Sequence, residues 1–320
     1  MTGAPARYIR GIVRRSSVPP TPPSPPPLPT RDGVGPSTVG LPAGPWQTML
    51  DFFVERFPAV TEASWRDRMQ AGEVVDDAAR PIEPDAPYRG HQRLYYYRTL
   101  PAEPRIPYEA QVLFQDAHLL VADKPHFLPV TPGGQYVQET LLVRLKRQLG
   151  IDTLVPVHRI DRSTAGLVLF SLDPATRGVY QALFAERRVE KSYEAVVHWP
   201  AGHTLASVYR SRLESIKGKM PVWEAAGEPN SETHLELLEM VGADRARLRL
   251  SPVTGRTHQL RVHCAALGMP IVNDPIYPTW LPVGSERYDQ PLQLLAKTLE
   301  FTDPLSGVTR RFASALRLAG

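Results

Sequence analysis

The stretch VHRIDRSTAGLVLF, residues 157–170, crowds charged and hydroxylated side chains into its first half and then runs without a linker into an apolar strand. So abrupt a change of character places a polar cluster at the mouth of a sheet. Asp161 lies in that cluster with Arg159 and Arg162 within two residues, and Gly166 permits a close backbone approach where the strand begins. A lone aspartate in a loop is ordinarily a turn former. One with cations on both sides can be held ionised and still be reached from solvent.

Outward from this segment the pattern is strand-rich. VLF at 112–114, LLVA at 119–122, LVLF at 167–170, YEAVV at 193–197, LELL at 235–238 and ARLRL at 246–250 read as strands bounded by turn residues or polar breaks. Two helices interrupt them, over residues 138–149 and 174–187, the second opened by Asp173 as a cap with Pro174 in its first turn. Strands outnumber helices and do not alternate with them regularly. The expected fold is therefore α+β, with a mixed, mainly antiparallel central sheet and flanking helices over residues 101–320.

The N-terminal part differs. Residues 16–45, with the run PPTPPSPPPLP from Pro19, cannot bury apolar surface and lack backbone donors at many positions. Residues 1–45 are accordingly expected to be a disordered or polyproline-like tail, the alternatives being a docking peptide or an Arg-rich targeting peptide. From Trp46 the apolar residues recur at helical spacing through Phe57, a second helix is expected over 63–71, and GEVV at 72–75 starts a short strand. Residues 46–98 resemble a degenerate αL RNA-binding motif; the bland alternative is a small helical cap, with YYYR at 95–98 closing strand-like in either case.

Composition sets limits. Of 320 residues 42% are hydrophobic, ordinary for a globular protein, and the formal net charge is +4. Five arginines against Asp32 within residues 1–45 account for that whole excess, so any nucleic-acid contact by the folded part relies on segregated basic patches. Arg210, Arg212, Lys217, Lys219, Arg310 and Arg311 are candidates for phosphates. The single Cys264 excludes a disulfide framework and a multi-thiolate zinc site, and no apolar stretch is long enough for a membrane helix, which points to a reducing, cytoplasmic setting.

The central segment resembles the signature HRLDxxTSGLLL of the RluA-type RNA pseudouridine synthases, and other segments match in order. VLFQDAHLLVADKP at 112–125 is similar to the family's ILYEDDxLLVVDKP, KSYEAVV at 191–197 to KxYxAxV, and PVTGRTHQLRVH at 252–263 to TGRTHQIRVH. NDPIY at 273–277 is similar to GDxxY, and LLAKTLEFTDP at 294–304 to LHAxxLxFxHP. The resemblance implies an isomerase that turns uridine into pseudouridine in ribosomal or transfer RNA, with no cofactor and no metal. Asp161 matches the essential aspartate, Tyr193 the aromatic packed on the flipped uracil, and Arg261 the cation paired with the aspartate. Arg159 matches the arginine that fills the place of the extruded base, and Leu294 or Leu295 an apolar contact beneath it. Arg162, Lys191, Arg256, His258 and Gln259 are further substrate-binding candidates without individual roles.

Ala165, Asn273, Leu295 and Asp303 depart from the family pattern without removing a catalytic residue type. They bear on the subgroup, hence on the RNA. The expected partner is a hairpin loop of a 23S-type ribosomal RNA or of a transfer RNA, acted on by a monomer needing no other protein and no membrane. Two rival readings remain: a catalytically inactive RNA-binding module of the same ancestry, and a metal hydrolase using His158, Asp161, His258, His263 and Asp274. A strand-like HQLRVH would put its two histidines on opposite faces, poor geometry for one metal.

Overall fold

The computed structural model describes residues 28–98, 103–216, 221–281 and 287–319. The chain divides into two compact units, Pro36–Tyr97 in one and Arg98–Gly320 with Thr30–Gly35 in the other. The first contains β1 (Ser37–Gly40), α1 (Met49–Arg56), α2 (Glu62–Gln70), β2 (Val74–Asp76) and β3 (Arg93–Tyr96). Thr48 caps α1 by accepting from the Asp51 N–H while Asp51 returns a bond to the Thr48 N–H, and Thr61 caps α2. Phe52, Phe53, Trp65, Met69 and Leu94 form a core with almost no exposure.

Part of the expected tail is thus structured. Residues 1–27 lie outside the described residues, but Ser37–Gly40 pairs antiparallel with β3, and Val39 and Leu41 join the core of the first unit. Val34 is buried with Val137 and Val143 in the second. Isolated apolar residues between glycines and prolines give no periodic signal, yet each has a slot to fill.

The second unit is built from β4 (Gln111–Gln115), β5 (Leu119–Lys124), α3 (Leu141–Leu149), β6 (Val155–Pro156), β7 (Ala165–Ser171), α4 (Arg177–Ala185) and β8 (Glu190–His198). β9 (Val208–Glu214), β10 (Trp223–Ala225), β11 (Ser231–Met240), β12 (Arg245–Pro252), α5 (Gln259–Ala266), β13 (Leu294–Thr302) and β14 (Thr309–Ala313) complete it. The sheet runs β10-β9-β11-β12-β8-β13-β7-β5-β4, with β14 added to β13 and β6 to β7. Only the β13–β7 pairing is parallel among the described strands, so the mixed, mainly antiparallel sheet is as expected.

Alternation explains the layering. On β5 and β7, Leu120, Ala122, Val168 and Phe170 pack with Leu141 and Leu145 of α3, while Leu119, Val121, Leu167 and Leu169 pack with Tyr180 and Leu183 of α4. Successive side chains leave opposite faces of a strand, so the two helices cover opposite faces. Farther along, Leu260 and Cys264 of α5 pack on Ala195, Val197 and Leu248.

Two expectations need correction. HQLRVH is helical, not strand-like: its apolar residues, spaced to dock one side on the sheet, belong to α5. The helix after Asp173 begins only at Arg177, because Asp173 and Pro174 form a preceding turn in which Asp173 accepts from the Ala175 and Thr176 N–H groups.

Gly166 (φ +109) lies where β7 meets β13, and a Cβ there would stand 2.3 Å from the Ala296 carbonyl oxygen. Gly166→Ala should therefore cost roughly 2–5 kcal/mol in urea unfolding, combining overpacking with left-handed strain. Burial pushes His126 down to about 4, His158 to about 3 and His263 to about 4 from an ordinary 6.5. Below pH 6.5 the unfolded chain binds protons that the folded one refuses, so their contribution is whole above 6.5 and erodes as pH falls through about 4 to about 3. Thermal scans should show Tm falling at each step across that window.

Candidate active site

Asp161 sits in the turn just before β7. Buried Ile160 pins the chain on one side, the Asp161 carbonyl accepts the Thr164 N–H at 3.1 Å, and Gly166 seats the strand against β13. Beneath this turn Lys124, with no exposed surface, donates to the Pro125 and Arg162 carbonyls at 2.9 and 3.0 Å. Burial drives that ammonium well below its usual pKa, opposed by the charge of Asp161. The Asp161 side chain keeps 27% of its surface.

The opposing wall comes from α5. Arg261, 2% exposed, reaches Asp161 Oδ2 with Nη1 at 3.5 Å and grips Asp274 through Nε and Nη2 at 2.8 and 2.6 Å. Asp274 also accepts the Ile276 and Tyr277 N–H groups, and the Tyr277 ring lies 5.4 Å from the guanidinium. Burial disfavours the charge on Arg261, but the bonds from Asp274 and the nearby carboxylates outweigh it and raise its pKa. His258, in left-handed backbone (φ 55), brings Nε2 to 3.8 Å from Asp161 Oδ2 and Nδ1 to 3.0 Å from the Tyr277 hydroxyl.

Tyr193 on β8 lines the same pocket, its phenol pushed above the ordinary range by burial and by the charge of Asp161. Arg159, Lys191, Arg256, His258, Gln259 and Leu294 line it too. Three sequence candidates behave differently from the rest. Leu295, with no exposure, packs into a cluster with Val196 and Val272, because adjacent strand residues face opposite ways. Arg162 turns from the pocket to Tyr136, donating to its hydroxyl at 3.0 Å and lying over its ring. Gln259 spends both amide hydrogens on the Glu232 carbonyl and Thr233, while its oxygen accepts from Thr254 and the Arg256 N–H. It shapes the loop with no donor left over.

Sequence reading gave no role to Tyr277 or Lys124 and named Asp274 only as a ligand in the rival metal reading, although all three stood inside quoted motifs. Nothing in spacing alone pairs residue 261 with 274.

The supposed phosphate-binding arginines are mostly matched by carboxylates. Arg210 pairs with Glu232, Arg212 with Glu214, Arg310 with Asp116 and Asp303, and Arg311 with Glu300. Lys217 and Lys219 lie outside the described residues. The histidines of the metal reading are dispersed: His158 stacks on Phe184 and accepts the Leu169 N–H, and His263 bonds Thr233, Ser211 and Ser231. Among the described residues no three His, Cys, Asp or Glu side chains are grouped to hold a metal ion.

Comparisons with known proteins fit this arrangement. Residues 118–266 match the family model described as RNA pseudouridylate synthase. The dual-specificity RNA pseudouridine synthase RluA of Haemophilus influenzae is 33% identical over 225 residues, 66% of this chain and 94% of that protein. An uncharacterized RNA pseudouridine synthase of Synechocystis sp. is 31% identical over 243 residues, 74% of this chain and 81% of the relative. Among solved structures, human RNA pseudouridylate synthase domain containing 1 superposes with a TM-score of 0.52 at 27% identity, covering 67% of this chain and 86% of that one. With the family match running from β5 through the Asp161 turn to the end of α5, and with relatives of this identity and coverage, the chain belongs to the RluA-type family of RNA pseudouridine synthases, isomerases that convert uridine to pseudouridine in RNA.

Proposed function

We propose that this isomerase acts on a uridine in a hairpin loop of ribosomal or transfer RNA, with Asp161 as the reacting carboxylate. The observation that carries the assignment is the pairing of a partly exposed carboxylate with a buried guanidinium that Asp274 already holds in place. Pseudouridine formation breaks the bond between uracil N1 and ribose C1′, turns the base, joins C5 to C1′, moves the C5 proton to solvent and leaves a proton on N1. There is no redox change and no net hydrolysis. Asp161 serves either as a nucleophile, at the ribose carbon or the uracil ring, or as a base that removes a ribose proton to give a glycal.

N1 of a stacked base cannot be reached without extrusion, which costs a few kcal/mol and least in loops. Arg159, exposed at the rim with no ion pair among the described residues, is suited to fill the gap in the stack. Tyr193 supplies a flat face for the detached ring and a phenol kept protonated, able to donate a hydrogen bond to it, and Leu294 supplies an apolar floor. Exposed Arg256 and half-buried Lys191, both lining the pocket, would meet phosphates of the bound RNA. The helix pair and small sheet of residues 36–97 are read as an accessory RNA-contacting module, and the enzyme as a cytoplasmic monomer.

The direct test is tritium release from C5-labelled uridine in an RNA hairpin. Asp161→Asn should bring turnover to background while RNA binding changes less than about threefold; full turnover in that variant would remove Asp161 from the chemistry. Arg261→Lys should lower turnover roughly 100-fold with little loss of RNA affinity, since an ammonium cannot span Asp274 and Asp161 as the planar fork does. Single-turnover rates on the same hairpin measure this.

A further inference from the structure

The contacts around the Tyr277 hydroxyl fix which ring nitrogen of His258 carries the hydrogen. The Tyr277 hydroxyl accepts the Val222 N–H at 2.9 Å, donates to the Val222 carbonyl at 3.0 Å, and contacts His258 Nδ1 at 3.0 Å. Burial pushes the phenol up to about 12, so it carries its one proton at neutral pH. With that proton on the Val222 carbonyl, all three contacts are satisfied only if Nδ1 carries the hydrogen and His258 is the donor.

Nε2 of the neutral ring is then a bare lone pair. It has no hydrogen-bond partner among the described residues, and it opens into the pocket 3.8 Å from a carboxylate oxygen of Asp161. The residue is 8% exposed, and its left-handed backbone turns the ring inward. Two acceptors, a lone pair and a carboxylate, therefore converge on one small space. Such a space repels another acceptor and calls for a donor.

The target nucleotide offers two donors near its reacting atoms, the ribose 2′-hydroxyl and uracil N3–H. N3 lies across the ring from N1. Every route open to Asp161 brings its carboxylate to C1′, to C2′ or to the ring carbon beside N1, and the 2′-hydroxyl is attached directly to C2′. Resting on the assignment of Asp161 above, we propose that His258 Nε2 accepts a hydrogen bond from the 2′-hydroxyl of the target uridine. His258 thereby orients the ribose beside the carboxylate and makes the site selective for RNA over DNA at that nucleotide. In this role His258 moves no proton between reactants; it is a specificity-determining contact.

The test compares single-turnover rates on two hairpins that differ only in a uridine or a 2′-deoxyuridine at the target position. The intrinsic effect of the missing hydroxyl on the chemistry cancels when one enzyme's preference is divided by another's. The native preference for the ribonucleotide should fall roughly 5- to 10-fold in His258→Phe, as expected for one lost hydrogen bond, and His258→Gln should recover part of it through its amide oxygen. An unchanged preference in His258→Phe overturns the proposal. A second measurement is independent of any variant: ¹⁵N NMR of the native protein at pH 7 should find Nδ1 protonated and Nε2 bare, and a proton on Nε2 also overturns it. If the native enzyme converts neither hairpin under conditions where RNA is bound, the assignment of the reaction fails; if it converts both and the preference is insensitive to His258, only this inference fails.

Discussion

A guanidinium with 2% of its side chain exposed needs its charge answered within the protein, and in this chain that constraint organises one wall of the site. Asp274 answers it with two short bonds, and its Oδ1 is held in addition by the N–H groups of Ile276 and Tyr277. One guanidinium nitrogen is left to face Asp161. The clamp thus couples three parts of the chain: α5, the loop after it, and the turn before β7. Tyr277 extends the coupling by lying over the guanidinium and tying the loop to Val222. A buried pair of this kind contributes little net stability compared with apolar packing, and its value lies in geometry.

Much of the fold was legible because alternation is a strong signal. Each of the six apolar runs taken as strands is a strand, and the split of odd and even residues of β5 and β7 between α3 and α4 is the same periodicity seen from two sides. The site was legible for a different reason. Charged and hydroxylated residues pressed against apolar strands at 157–164 and 252–259 cannot all be buried, so they gather at the open end of the sheet.

What escaped reading has physical causes. The segment HQLRVH has too few residues to separate a period of 2 from one of 3.6, and tertiary packing of Leu260 and Cys264 decides for helix. Arg162 is adjacent to Asp161, yet side-chain direction in a tight turn changes at every residue, and Tyr136 offers it a ring and a hydroxyl. Ser37–Gly40 is too short and too rich in turn formers to announce itself as a strand; its partner β3 supplies the ladder. The basic residues were visible but their carboxylate partners were not, since Arg210–Glu232 and Arg310–Asp303 are joined across strands and a turn.

The position of β13 has a consequence for how this molecule comes into being. It lies between β8 and β7, and it is made from residues 294–302, near the end of the chain. Before that segment leaves the ribosome, the strands carrying Tyr193 and those following Asp161 belong to two separate half-sheets, each with an unpaired edge. Insertion of one late strand, antiparallel to β8 and parallel to β7, joins them. Long-range pairing of this kind closes slowly. The half that carries Asp161 and the half that carries Tyr193 are thus joined into one sheet by a strand made after both, and a chain truncated before Leu294 would lack that join.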